Sequence, residues 1–149
     1  MKKAYAATSI EALRHVLGDT YVLAVKTQNA HWNLEGESFI GLHLLLERQY
    51  KELVTAIDVV SERIRALGDV SPGDMATFIA LARLQEEKSL VDPRESILKL
   101  ADDHTRLSTL LEEHIAILEP DNDYGTIDLF TDRIRDHDHE AWLLRAHYP

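Results

Sequence analysis

Five side chains between positions 31 and 62 have the types and the spacing of metal ligands. They are His31, His43, Glu47, Asp58 and Glu62. His43 and Glu47 are four residues apart, as are Asp58 and Glu62, so each pair shares one face of a helix and can reach a single ion. Imidazole and carboxylate ligands without sulfur favour iron, zinc or manganese over soft metals. The chain has no cysteine, which excludes a thiolate zinc site, a cysteine nucleophile and a disulfide scaffold.

The spacing also predicts how the site is divided. Eleven residues separate Glu47 from Asp58, roughly 16 Å along a helix and too far for both to bind one ion. His31 lies just before a short break in the helical pattern, and an antiparallel return brings it level with His43. One chain therefore offers two half-sites. Two copies paired antiparallel about a two-fold axis would set each half-site against the other half from the partner, twice per pair.

Other interpretations of these residues exist. Taken singly, a histidine beside an apolar stripe is usually a hydrogen-bonded core group, and an acidic residue on a helix is usually solvated. A metal site is favoured because all five residues occur together, at heights along the helices that match between two antiparallel copies. A di-iron site within one bundle would need Glu-x-x-His pairs on two helices. No histidine here follows a glutamate by three positions, and Asp136/His139 is the nearest approach. A zinc- or manganese-binding shell without oxidase turnover is a further alternative.

Four long segments with helical periodicity position these residues, and no stretch alternates like a strand. Ser9 is a good N-cap for the first segment, Gly68 a stop for the second, and Asp92-Pro93 a start for the third. The crossover between the second and third segments is long and contains a short helix. This order predicts an all-α, ferritin-like four-helix bundle formed by a single domain over residues 1–149. The predicted helices are about 9–33, 39–67, 75–84 in the crossover, 92–119, and 122 or 123 to 147.

Composition limits the classes of partner. The chain has 149 residues, 45% of them hydrophobic, and 26 acidic against 16 basic residues give a net charge of −10. The electric field of this net negative charge attracts cations and repels a polyanion such as DNA. No apolar run approaches the roughly 20 residues that span a bilayer, and no apolar segment of a signal peptide follows the N-terminal lysines. We therefore expect a soluble, cytoplasmic protein without membrane contact.

Several of these residues stand in motifs with a known counterpart. The block His31-Trp32-Asn33, His43 twelve residues after His31, the Asp58-x-x-x-Glu62 pair and the closing Glu140-Ala141-Trp142-Leu143-Leu144-Arg145 resemble the Dps family of mini-ferritins (DNA-binding proteins from starved cells). The resemblance implies a homo-oligomer, a hollow dodecamer, with ferroxidase sites at its dimer interfaces. It implies Fe²⁺ and hydrogen peroxide, in preference to oxygen, as substrates, storage of ferric iron, and protection against oxidative stress.

The resemblance also implies roles for individual residues. His31, His43 and Glu47 would come from one subunit, and Asp58 and Glu62 from the other; family members often have aspartate at the position of Glu47. Trp32 would lie beside the site, as a sacrificial electron donor or as a packing aromatic.

The resemblance further suggests a pore at a three-fold axis that admits iron. Its candidate residues are acidic and lie near the start of the last helix: Asp121, Asp123, Asp128 and Asp132. The alternative is that they favour a helix N-terminus and a solvated helix face.

DNA binding is an alternative function, in which the chain is a DNA-compacting protein with a secondary metal site. Family members that bind DNA commonly use a lysine-rich tail, and only Lys2 and Lys3 precede the first predicted helix here. We therefore expect no tight binding to DNA. Of the remaining histidines, His104 and His137 lie on apolar stripes and are expected in the core, whereas His139 is expected on a solvated turn.

Overall fold

The computed structural model of the chain describes residues 6–89 and 92–149, and the regular structure of this part is helical. Four long helices and one short helix in the crossover agree with the predicted order, so the expected all-α bundle is confirmed. The helices are α1 (Ala6–Asn33), α2 (Phe39–Ala66), α3 (Met75–Leu81), α4 (Pro93–Leu118) and α5 (Tyr124–Ala146), with a 3-10 turn at Glu119–Asp121.

Neighbouring helices of the bundle run antiparallel. Arg14 of α1 contacts Asp69, which lies just after α2, at one end, and His31 contacts His43 at the other. Residue numbers also run in opposite directions across α4 and α5, where Ser108 binds Asp138 and Asp102 binds Arg145. The core between the helices is rich in fully buried leucines, which the apolar stripes at steps of three and four residues supply. They include Leu13, Leu17, Leu46, Leu53, Leu107 and Leu111.

Charged side chains join α2 to α5. Arg48 donates two hydrogen bonds to Glu140, at 2.8 and 2.7 Å, and Gln49 Nε2 donates a third at 2.6 Å. One turn further along, Arg133 forms an ion pair with Glu52. These bonds fix the rotation of α2 in the bundle. A different part of the α2 surface lies in solvent and carries three exposed apolar side chains: Ile40, Leu44 and Val54. Val59 is also exposed but lies on the α5 side, in a groove with Glu52 and Arg133.

The predicted start of the first helix is wrong. The helix is already formed at Ala6, so Ser9 lies within it rather than at its N-cap. The Ser9 hydroxyl is buried and donates to Asp123 Oδ2 at 2.6 Å. Ser9 therefore contributes a tertiary hydrogen bond instead of the local helix cap that the sequence predicted. Lys2 and Lys3 lie outside the described residues.

The crossover helix α3 also ends earlier than predicted, at Leu81 instead of residue 84. The backbone N–H groups of Arg83 and Leu84 donate to the buried carboxylate of Asp19, at 2.5 and 2.9 Å, and so leave the helical pattern. Predicted boundaries elsewhere are confirmed: Asp92 caps α4 by accepting from Glu95 N–H, and α2 ends one residue before its C-cap Leu67, followed by Gly68 at φ 94°.

Gly18 is the point where α3 approaches α1. A Cβ added there would lie 2.6 Å from the carbonyl oxygen of Phe78 and 2.9 Å from the backbone nitrogen of Ala82. The glycine is therefore required by close packing. Among the described residues, none of the helices is apolar over a stretch long enough to cross a membrane.

Candidate metal site

His31 and His43 form the centre of the candidate site, and each holds the other in place. His31 Nδ1–H donates to the carbonyl oxygen of His43 at 2.8 Å, and His43 Nδ1–H donates to the carbonyl oxygen of His31 at the same distance. The two rings stack with centroids 3.8 Å apart. The predicted meeting of the end of α1 with the start of α2 is therefore confirmed for these two residues.

The reciprocal bonds decide which ring nitrogens are free. A carbonyl oxygen only accepts, so both neutral rings carry their proton on Nδ1 and keep a lone pair on Nε2. A hydrogen bond from the far ring nitrogen to a carbonyl is the usual way in which proteins orient a metal-binding histidine. The carbonyl of His31 lies in the last turn of α1, which lacks intrahelical donors, so His43 also caps that helix.

Aromatic neighbours further restrict the two rings. Tyr50, two turns along α2 from His43, meets the His31 ring edge-on with centroids 5.3 Å apart. Phe39, one turn before His43, packs against the His43 ring at 5.0 Å. Sequence reasoning did not single out Phe39 or Tyr50, although their helical spacing from His43 places them on neighbouring turns.

Glu47 lies one turn beyond His43 and is engaged by another residue. Lys51 Nζ contacts Glu47 Oε1 at 2.5 Å. The hydrogen bond and the positive charge of Lys51 lower the pKa of Glu47 below its usual value. The sequence-based prediction did not include Lys51, although an i, i+4 pair of opposite charge is a recognisable signal.

The other predicted half-site, Asp58 and Glu62, lies on the same helix and is exposed. Neither carboxylate has a hydrogen bond or an ion pair with any residue of 6–89 or 92–149. Within these same ranges no three histidine, aspartate or glutamate side chains converge as a metal cluster. A single chain thus brings His31 and His43 together and leaves the two acids apart from them.

Trp32 follows His31 directly and turns outward. Its side chain is 66% exposed and borders a shallow groove beside Val25 and Asn29. It therefore does not serve as a core aromatic of its own chain. Both predicted roles, sacrificial electron donor or packing aromatic, stay predictions.

The predicted pore residues fall into two groups. Asp121, Asp128 and Asp132 are exposed, and Asp132 forms an ion pair with Arg135. Asp123 is 1% exposed, so its prediction as a pore-lining residue is wrong.

The buried Asp123 carboxylate instead caps α5 and accepts from Ser9, Thr126 and Arg63. Burial alone would raise its pKa, but these hydrogen bonds and the charge of Arg63 outweigh burial and lower it.

The prediction that His104 and His137 lie in the core is confirmed. Arg133 donates to His137 Nε2 at 3.3 Å, so His137 carries its proton on Nδ1 and donates it to His104 Nδ1 at 2.9 Å. His104 then carries its proton on Nε2, which is buried without a partner among the described residues. Burial lowers the pKa of His104 to about 4. His139 is exposed and lies beside the Trp142 ring.

Known proteins resemble this chain in sequence and in fold. Residues 10–148 match the family of ferritin-like domains. An uncharacterized low temperature-induced protein of Nostoc sp. is 36% identical over 139 residues, covering 92% of this chain and 78% of that protein.

Two solved structures are similar over almost the whole chain. Antigen TpF1 from Treponema pallidum has a TM-score of 0.91 at 30% identity, with 99% of this chain and 96% of the other covered. The Dps protein from Vibrio cholerae, described as a member of a broad superfamily of ferritin-like diiron-carboxylate proteins, has a TM-score of 0.92 at 26% identity, covering 99% and 92%. The chain belongs to the ferritin-like family and, within it, to the Dps mini-ferritins.

Proposed function

We propose that two copies of this chain form a shared ferroxidase site that oxidises Fe²⁺ with hydrogen peroxide. The observation that carries the proposal is the pair His31 and His43, whose hydrogen bonds leave both Nε2 atoms free, in a chain whose described residues supply no third converging ligand. Such a half-site needs ligands from elsewhere. Asp58 and Glu62 are exposed and unpaired among the described residues, so they are available to a second copy.

The apolar face of α2 supports this pairing. Leu44 and Val54 are exposed on the helix that carries both half-sites, and burying them against another copy would be favourable. Antiparallel pairing of two α2 helices sets Glu47 level with Asp58 of the partner subunit. A two-fold axis repeats the arrangement, so each pair of chains has two sites.

The ligand set suits oxidation of iron. Carboxylates stabilise Fe³⁺ over Fe²⁺ and so favour loss of an electron from the bound substrate, and open coordination positions admit the oxidant. Two ferrous ions supply the two electrons that cleave the O–O bond of hydrogen peroxide, and two protons convert the oxygens to two waters. Because both electrons are delivered, no hydroxyl radical is released. Iron is here the substrate.

Sequestration of the ferric product is the second half of the proposal. It rests on membership of the Dps mini-ferritins and on the resemblance to a hollow dodecamer. Asp128 and Asp132, together with Asp121, are exposed near the start of α5. Repeated around a three-fold axis, they would form an acidic ring that attracts Fe²⁺.

The test uses the two acids of the second half-site. Metal-free protein is loaded anaerobically with Fe²⁺, hydrogen peroxide is injected, and ferric absorbance is followed with oxygen as a parallel oxidant. We expect fast oxidation by peroxide, and a loss of at least about tenfold in rate in Asp58→Ala/Glu62→Ala, since both ligands from one subunit are removed. Glu112→Ala/Glu113→Ala removes the same charge from α4 and should leave the rate unchanged.

Two results would contradict the proposal. A wild-type rate equal to that of buffer would leave the fold intact and remove the ferroxidase function. An unchanged rate in Asp58→Ala/Glu62→Ala would exclude these carboxylates as ligands.

A further inference from the structure

His104 on α4 and His137 on α5 form a buried pair that the proposed metal site does not use. Each side chain is 1% exposed, and the two Nδ1 atoms are 2.9 Å apart. Only one proton fits between two ring nitrogens at this distance, so one ring donates and the other accepts. The hydrogen bond that joins the two helices here therefore depends on the number of protons that the pair carries.

The surrounding hydrogen bonds leave no ring nitrogen free to accept another proton. Arg133 donates to His137 Nε2 at 3.3 Å, and a guanidinium group only donates. His137 therefore donates from Nδ1 to His104 Nδ1, and His104 carries its own proton on Nε2. A further proton must go to His104 Nδ1 or to His137 Nε2. At either atom it would face an existing N–H group, so a hydrogen bond would become a contact between two donors.

Charged groups from the neighbouring helices flank the pair, and each is already in an ion pair. Burial is the largest influence on both rings, and it lowers the pKa of His104 to about 4 and the pKa of His137 as well. Arg133 lowers both pKa values further, whereas Glu140 raises the pKa of His104. Both rings are therefore neutral near neutral pH. The flanking ion pairs are Arg133–Glu52, Arg133–Asp136, Arg48–Glu140 and, on the side of α1, Lys26–Asp103.

The pair lies between two connections that hold α5 on α2. Arg133 precedes His137 by one helical turn and forms an ion pair with Glu52. Glu140 follows His137 by three residues and accepts two hydrogen bonds from Arg48. Because consecutive turns of a helix move together, a displacement of His137 disturbs both connections.

We propose that the His104–His137 pair is an acid-operated latch, which holds α5 on α4 and α2 while it shares one proton and releases α5 when a further proton arrives. Opening of α5 exposes both rings to water, where each takes up a proton at its ordinary pKa. Acid therefore favours the open state, by linkage between protonation and opening. Since α5 also carries Asp128 and Asp132, acid would loosen the helix of the candidate iron entry. The latch itself does not depend on the ferroxidase activity.

Hydrogen exchange of the assembled protein tests the latch segment by segment. Protection factors of peptides from α1, α4 and α5 are measured by mass spectrometry at about pH 7 and about pH 4.5, with correction for the intrinsic pH dependence of amide exchange. Between these pH values we expect protection in the part of α5 after Arg133 to fall at least about tenfold more than protection in α1, because the buried histidines take up protons when α5 opens. Sedimentation and circular dichroism at both pH values verify assembly and helix content.

Three variants separate the pair from other histidines. His104→Gln/His137→Gln removes both titratable rings, and since glutamine both donates and accepts, it can retain the hydrogen bonds. Protection of α5 should then fall no more than that of α1. His104→Gln alone leaves one titratable ring, so it should reduce the fall by about half on a logarithmic scale, and it tests the latch even if the double variant does not fold. His139→Gln is the matched control, because His139 is exposed on the same helix, and it should behave like the wild type.

The outcomes decide whether the latch exists. A fall that is lost in the double variant, reduced in His104→Gln and retained in His139→Gln supports it. Wild-type protection of α5 that changes no more than that of α1 would overturn it. A full fall in the variants that lack His104 would also overturn it and would point to His114 on α4, whose pKa burial lowers to about 4. Loss of the fall in His139→Gln would show that the effect is not specific to the buried pair.

Discussion

Two variants that each lack one half of the proposed site should restore activity to one another when they assemble together. One variant, His31→Ala/His43→Ala, keeps the acidic half-site. The other, Asp58→Ala/Glu62→Ala, keeps the histidines. Along α2, roughly 16 Å separates the two halves within a chain, so neither variant contains a complete site by itself, and each alone should oxidise Fe²⁺ no faster than buffer.

The two-fold symmetry sets the size of the effect. When equal amounts of the two variants assemble at random, about half of the pairs are mixed, and each mixed pair contains one intact site and one site that lacks both halves. We therefore expect about one quarter of the wild-type rate per chain. Mixing the histidine variant with wild type calibrates the assay, because about half of the sites should then be intact.

The assay is peroxide-driven formation of ferric iron by the mixture, unfolded together and refolded, or co-expressed with two tags. Native mass spectrometry verifies that mixed pairs are present. A mixture that contains them but stays as slow as its parents would refute a site shared between copies. Full activity in either parent alone would refute the ligand assignment.

Two further predictions concern stability. Gly18→Ala should lower the midpoint of urea unfolding by the equivalent of about 1–3 kcal/mol, because the new methyl group meets the carbonyl oxygen of Phe78 at 2.6 Å and overpacking outweighs the helical preference of alanine. Gly41→Ala, whose added Cβ would come no closer than 4.0 Å to another group, is the control and should be neutral or stabilising; equal effects at both positions would contradict the packing argument. For His104, burial lowers the pKa from 6.5 to about 4. Between these pH values the unfolded chain binds a proton at this histidine that the folded chain does not. The free energy of unfolding therefore falls as the pH decreases from 6.5 to 4, by about 3 kcal/mol. His104→Gln cannot take up that proton and should reduce the slope of unfolding stability against pH between pH 6.5 and 4. A smaller slope remains, because burial also lowers the pKa of His114 to about 4 and the pKa of His137. An unchanged slope would show that these other histidines are responsible.

Much of the fold could be predicted because helices are determined locally. The apolar steps of three and four residues, the cap at Asp92 and the stop at Gly68 act within a turn or two of the chain, so α2 and α4 have nearly the predicted bounds. The predicted helix boundaries are wrong where a group distant in the chain competes for the same hydrogen bonds. Ser9 has the properties of a cap but binds Asp123, and α3 ends early because Asp19 captures the backbone beyond it.

The candidate site divides in the same way. Residue type and spacing predicted a metal-binding role for His31, His43, Asp58 and Glu62, because i, i+4 pairs on a helix need no knowledge of the fold. The approach of His31 to His43 also followed from the antiparallel return after a short loop. Which ring nitrogen is free did not follow, since that depends on carbonyl groups whose positions the packed helices fix.

By itself, the sequence determined that this chain is a helical bundle. It also predicted metal ligands of nitrogen and oxygen, in two half-sites that lie too far apart to serve one ion within a chain. Each of these follows from local periodicity and helical rise. The tertiary structure decided which polar groups are available. It buried Asp123 as a cap, attached Lys51 to Glu47, locked both histidines by their Nδ1 atoms and left Asp58 and Glu62 in solvent. Availability depends on burial and on competing partners, and both are set by residues distant in the chain.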